Sequence, residues 1–85
     1  MRTVFLHLHD EGQANWNNVH FDFERVPVVG EYVTIKSDGD WYKVEMVVHT
    51  PFSKGMCAEI YAVKVNQQKE IKNNVKSAKS GVSFQ

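Results

Sequence analysis

From Thr3 to His9 the side chains alternate without a break. Val4, Leu6 and Leu8 take one parity, and Phe5, His7 and His9 take the other. Successive residues of a strand point to opposite faces, so this is strand period and not helical period. The pattern recurs along the chain. Val19–Arg25 sets Val19, Phe21 and Phe23 against His20, Asp22 and Glu24, and Glu31–Lys36 turns Val33 and Ile35 to one side. Trp41–His49 sets Tyr42, Val44, Met46 and Val48 against Lys43, Glu45 and His49. Met56–Val65 is partly apolar on both parities, with Ala58, Ile60 and Ala62 against Tyr61, Val63 and Val65. A strand that is apolar on both sides is expected at the centre of a sheet or at a bulge.

The punctuation between these runs is also strand-like. Pro27-Val28-Val29-Gly30-Glu31-Tyr32-Val33 reads as a tight turn feeding a strand. Ser37-Asp38-Gly39-Asp40 predicts a hairpin, because Asp-Gly suits the positive φ of a type I′ turn. Asp10–Asn18 reads as a polar loop that contains Gly12 and carries Trp16, and Thr50–Gly55 reads as a second loop. The expected fold is mostly β: a small five-stranded antiparallel barrel or strongly bent sheet, since curling protects strand edges. Its core is expected to hold Val4, Leu6, Phe21, Phe23, Val33, Ile35, Val44, Met46 and Ile60.

Charge divides the chain in two. Residues 1–65 carry six Lys/Arg and nine Asp/Glu, a net −3, and residues 66–85 carry four Lys and Glu70, a net +3. The predicted organisation is a β domain over 1–65 followed by a polar, Lys-rich tail over 66–85. Ile71, Val75, Ala78 and Val82 recur at helical spacing, beside a stripe of Lys69, Lys72, Lys76 and Lys79. Asn66 can cap such a helix and Gly81 can end it. A flexible tail and a short amphipathic helix both fit this composition. Ordering entropy outweighs the burial of a few modest side chains, so the tail is expected to be ordered by a partner. A body of about 65 residues buries only about 60% of its unfolded surface, which makes a homodimer attractive.

No motif specifies an activity. Cys57 is the only cysteine, which excludes an internal disulfide and a cysteine zinc cluster and fits a reducing compartment. The apolar N-terminus is interrupted by His7, His9, Asp10 and Glu11, so a soluble, cytoplasmic protein is expected. His7 and His9 share a strand face and are candidate metal ligands, with His49, Cys57 or Asp10 as companions, but no third ligand sits at a diagnostic spacing. No catalytic residue and no cofactor are expected, because phosphate loops, nucleophile elbows and zinc-protease motifs are all missing from the sequence. Candidate partner-binding residues are Trp16, Trp41 and Tyr42, as aromatic anchors, and the tail lysines Lys69, Lys72, Lys76 and Lys79.

Arg25-Val26-Pro27-x-x-Gly30-Glu31-x-Val33, Tyr42-x-Val44-x-x-Val47-x-His49 and Ala58-x-Ile60-x-Ala62-Val63 together resemble a pattern in small uncharacterised bacterial and phage β proteins. The Pro-x-x-Gly-Glu-x-Val entry is similar to the first strands of SH3-like barrels. The resemblance covers about half the chain and implies an SH3-like fold and a bacterial or mobile-element origin, with no catalytic residue to carry over. The functional expectation is a non-catalytic binding or adaptor module acting on another protein. The alternatives are a small metal protein or enzyme using His7, His9, His49 and Cys57, and a nucleic-acid binder using the basic tail and the tryptophans.

Overall fold

A computed structural model describes residues 1–10, 12 and 14–75. It contains strands β1 (Arg2–His9), β2 (Trp16–Phe23), β3 (Tyr32–Val33), β4 (Trp41–His49) and β5 (Ala58–Val65), and helix α1 (Gln67–Asn74). The strands form one curled, half-barrel sheet in the order β2-β1-β5-β4-β3. The mostly β expectation therefore holds, but the antiparallel expectation is corrected: β1 and β5 pair in parallel, Val4 with Ala58 and Leu6 with Ile60. The cause is the connection after β2. It leaves one edge of the sheet, reaches the other edge at β3, and the antiparallel run β3–β4–β5 then returns toward β1. β5 arrives between β1 and β4, so Ala58, Ile60 and Ala62 are buried on one face while Tyr61 and Val63 on the other are half-buried.

That connection also closes the core. Val4, Leu6, Leu8, Val33, Val44, Ile60 and Ala62 form one buried cluster. Val26 and Ile35, which flank β3 in the chain, pack on it from the connecting segments, together with Val19, Phe23, Tyr42, Val47 and Cys57. One sheet face is thus covered by the chain's own crossing segment. The other is not covered by any strand among the described residues.

Two expected core residues lie elsewhere. β4 carries a bulge between Val44 and Met46, which reverses the parity of the residues after it. Val47 turns inward, while Met46 pairs with Tyr61 on the opposite face and is 48% exposed. Phe21 keeps the core-side parity but sits on the edge strand β2, where it is 39% exposed.

The turns follow the sequence only in part. Glu31 N–H donates to the Val28 carbonyl at 3.1 Å, so the turn expected over Pro27–Gly30 closes one residue later, over Val28–Glu31, with Gly30 at φ +95 in its third position. The Asp38-Gly39 hairpin is corrected. Gly39 donates its N–H to the Lys36 carbonyl at 3.0 Å and has no positive φ, so a Lys36–Gly39 turn replaces the type I′ turn. The expected third strand, Glu31–Lys36, shrinks to Tyr32–Val33. β2 starts earlier than expected, at Trp16, so Trp16 is a strand residue and not a loop residue.

The tail begins as α1. Asn66 caps it, accepting the Lys69 N–H at 2.9 Å. The helix ends at Asn74 and has no buried residue. It touches the sheet through Tyr32, which donates its hydroxyl to Glu70 and accepts from Asn74 Nδ2 at 3.2 Å. The expectations for Lys76, Ala78, Lys79, Gly81 and Val82 lie outside the described residues. A polar attachment of this kind contributes about 1 kcal/mol for a neutral hydrogen bond and up to about 3 kcal/mol for one to a carboxylate, a gain that the entropy of ordering the segment offsets. Deleting residues 67–85 is therefore expected to leave the melting temperature nearly unchanged. A large drop in a thermal melt would place the tail inside the folding unit.

Candidate functional site

The uncovered face is built by strand alternation. The residues of β1 that do not enter the core, Phe5, His7 and His9, stand in the middle of it. The register sets out three rows across the sheet. Trp16, His9, Val63, Lys43 and Tyr32 form the first, and Asn18, His7, Tyr61 and Met46 the second. His20, Phe5, Glu59 and Val48 form the third.

Within these rows the rings pack on one another. His20 stacks on Phe5 with centroids 4.2 Å apart and planes 9° from parallel. His7 stacks on Tyr61 at 4.4 Å and also leans on Phe5 at 4.5 Å. Trp16 lies against His9 at 4.6 Å and reaches across β1 to meet Tyr61 in a T-shaped contact at 5.7 Å. His7 is the hub. Its Nδ1 is 2.7 Å from Asn18 Oδ1, and its Nε2 is 2.9 Å from Glu59 Oε1. Phe5, His7, His9 and Tyr61 are half-buried by this mutual packing, while Trp16, His20, Met46 and Val48 are exposed around them.

This arrangement leaves His7 without a free nitrogen for a metal ion, because both are already engaged and a metal ligand needs a free lone pair. His49 pairs with Ala58, at the far end of the sheet from the His9 row, and Cys57 packs against the core. Among the described residues, no three His, Cys, Asp or Glu side chains are placed to share a metal ion.

The other expected site residues are scattered. Tyr42 turns to the core side and packs on it. Trp41 lies at the β3 end of the sheet, with Tyr32 at 5.8 Å, and is not joined to Trp16. Lys69 and Lys72 are exposed on α1, and Lys76 and Lys79 lie outside the described residues. Sequence reasoning missed Phe5, His20, Tyr61, Met46 and Val48 as members of the face. The parities of β1 and β2 contained the first two. The β4 bulge hid Met46 and Val48.

Trp41 and Tyr32 instead line an open groove of about 660 Å³ with Phe23, Arg25, Pro27 and Val33. Its rim is held by a two-pronged ion pair in which Arg25 donates to both carboxylate oxygens of Glu31. Glu31 also accepts the Val28 N–H at 2.8 Å. The Arg25 hydrogen bond, followed by that of Val28, lowers the Glu31 pKa to about 2. Because the folded pKa is depressed, the pair is complete above the ordinary carboxylate pKa of 4.5 and is lost as pH falls through about 2. An NMR titration of the Glu31 carboxyl should show that low midpoint, and Arg25→Ala should move it up toward 4.5. A midpoint already near 4.5 in the unmodified protein would mean that the pair is open in solution.

No protein-family model matches the chain, and neither a curated protein nor a solved structure is significantly similar to it.

Proposed function

We propose that this protein is a non-catalytic binding module, and that its recognition surface is the outer face centred on His7 and Tyr61. The carrying observation is the stacked set Phe5, His7, His9, Trp16, His20 and Tyr61, fixed by neighbouring rings and by Asn18 and Glu59, outside the core of a very small domain. Rigid aromatic side chains lose little entropy on binding and bury much area, which is why they dominate the anchors of protein interfaces. The partner that fits is a protein segment with apolar side chains for Trp16, Met46 and Val48 and a basic group for the acidic body. The likeness to SH3-like barrels enters this proposal as one of curled β architecture, with the parallel β1–β5 pair as its departure. A cytoplasmic location and a bacterial or mobile-element origin belong to the same proposal.

Nucleic-acid binding has less support. Base stacking needs free ring faces, and here Phe5, His7, His20 and Tyr61 spend theirs on one another. The face also carries Glu59 and Asp22, where a phosphate backbone calls for cations.

Peptides selected from a random display library test the proposal. Selected peptides should shift the amide signals of His7, Trp16 and Tyr61 and lose affinity for a folded Trp16→Ala/Tyr61→Ala variant. Ligands that perturb only the Tyr32–Trp41 groove would relocate the site. Binding of single-stranded oligonucleotides that weakens steeply with salt would favour the nucleic-acid reading instead.

A further inference from the structure

The two edges of the sheet are unlike. β3 is two residues long and runs directly into the 34–40 loop, so it offers almost no ladder to an incoming strand. β2 is eight residues long and pairs with β1 in unbroken register from Trp16 to Phe23. Its other side has no strand partner among the described residues. Natural edges are normally blunted by shortness, lysine, proline or a bulge. β2 has none of these, and Asp22 is its only carboxylate or cationic side chain apart from His20.

We propose that the β2 edge pairs with the β2 edge of a second copy of this chain, joining two sheets into one across a two-fold axis. The sequence of β2 selects a register. In such a dimer the axis stands perpendicular to the sheet, antiparallel strands face each other, and core-side residues must oppose core-side residues. With Phe21 on the axis, Phe21 meets its own copy, Val19 meets Phe23, and His20 meets Asp22 on the outer face, each of the last two pairs occurring twice. Apolar groups then face apolar groups, and a donor ring faces a carboxylate. An axis at Val19 would set Phe21 against Asn17 and Trp16 against Asp22. An axis at His20 would set Asn17 against Phe23 and leave His20 facing itself. The Phe21 register is the one without a mismatch.

The same register accounts for two features of the monomer. Phe21 has core-side parity but is 39% exposed, and a second Phe21 across the axis would cover it. The outer face is also lengthened, because its third row ends at His20 and would continue into Asp22 of the second copy. This assembly does not depend on what the outer face binds. The dimer can fail while the face still selects peptides, and the reverse.

Sedimentation equilibrium of the full-length chain over a range of concentrations is the test, with circular dichroism and thermal melts to confirm that each variant is folded. The wild-type chain is expected to be a reversible dimer. Phe21→Lys, which places two ammonium groups at the axis, is expected to be a folded monomer. His20→Asp sets carboxylates against Asp22 and should weaken the dimer at least tenfold, and His20→Asp/Asp22→His should restore most of the loss. In the event that a variant unfolds, amide exchange of the wild-type chain still decides: protection of the β2 amides must rise with protein concentration. A wild-type monomer at every concentration overturns the proposal. So does a dimer that Phe21→Lys leaves intact, because its interface lies elsewhere. β2 protection that is independent of concentration and lost on deleting residues 76–85 also overturns it, because the edge is then covered by the chain's own C-terminal segment.

Discussion

Leu6→Ala is expected to destabilise the protein by about 2–5 kcal/mol, the cost of removing a buried leucine and leaving a cavity. Leu6 is fully buried in the middle of β1, opposite Val19 on one side and Ile60 on the other. No neighbour can easily fill the gap, because each is held by its own ladder. A chain of this size has roughly 4–12 kcal/mol of stability in total. The variant should therefore be partly unfolded at moderate temperature, and urea titration would show a much lower midpoint. Phe21→Ala, measured at concentrations where the chain is monomeric, is the matched control: same face, larger side chain, but exposed on the edge strand. It should cost the monomer far less. Equal losses at the two positions would mean that the crossing segment does not seal the core around Leu6.

Gly30→Val is the second change with a large expected effect, about 1–3 kcal/mol. A Cβ at Gly30 would meet nothing within 4 Å, so crowding is not the cause. The cost comes from φ +95, which a β-branched residue rarely adopts. The strain falls on a junction, since Gly30 N–H donates to the Val44 carbonyl at 2.9 Å and Val44 N–H donates to Glu31 at 2.8 Å. Gly55→Val is the control, because Gly55 has equal room and no positive φ. A thermal melt should separate the two clearly, and equal melting temperatures would show that the turn relaxes to another conformation at no cost.

The strands were legible in the sequence wherever alternation was uninterrupted. β1 was read almost to the residue, and the two-sided apolar pattern of Ala58–Val65 foretold a central strand. The Pro27–Gly30 signal placed the turn to within one residue because its decisive feature, the positive φ of Gly30, is local. Two other features were not local. The bulge at Glu45 changes no composition, yet it moves Met46 and Val48 from one face to the other. The direction of β5 relative to β1 depends on where the connection after β2 lands, and no short motif records that. The outer site was half visible for the same reason. His7 and His9 shared a parity with Phe5, but their packing against Tyr61 needed the β1–β5 pairing.

That pairing has a kinetic consequence. The sheet consists of two meanders, β1–β2 and β3–β4–β5, joined at its centre by a ladder between the first strand and the last. Each meander can begin to form from neighbouring residues. The join must wait for Val4 to find Ala58 across most of the chain, and the entropy of closing that long loop precedes any gain from the core. Until then Val4, Leu6 and Leu8 have lost their principal neighbours on β5, and β1 as well as β2 is an open edge. Refolding should thus be governed by a single slow long-range encounter, and the most aggregation-prone moment in the life of this protein is the interval before its last strand arrives.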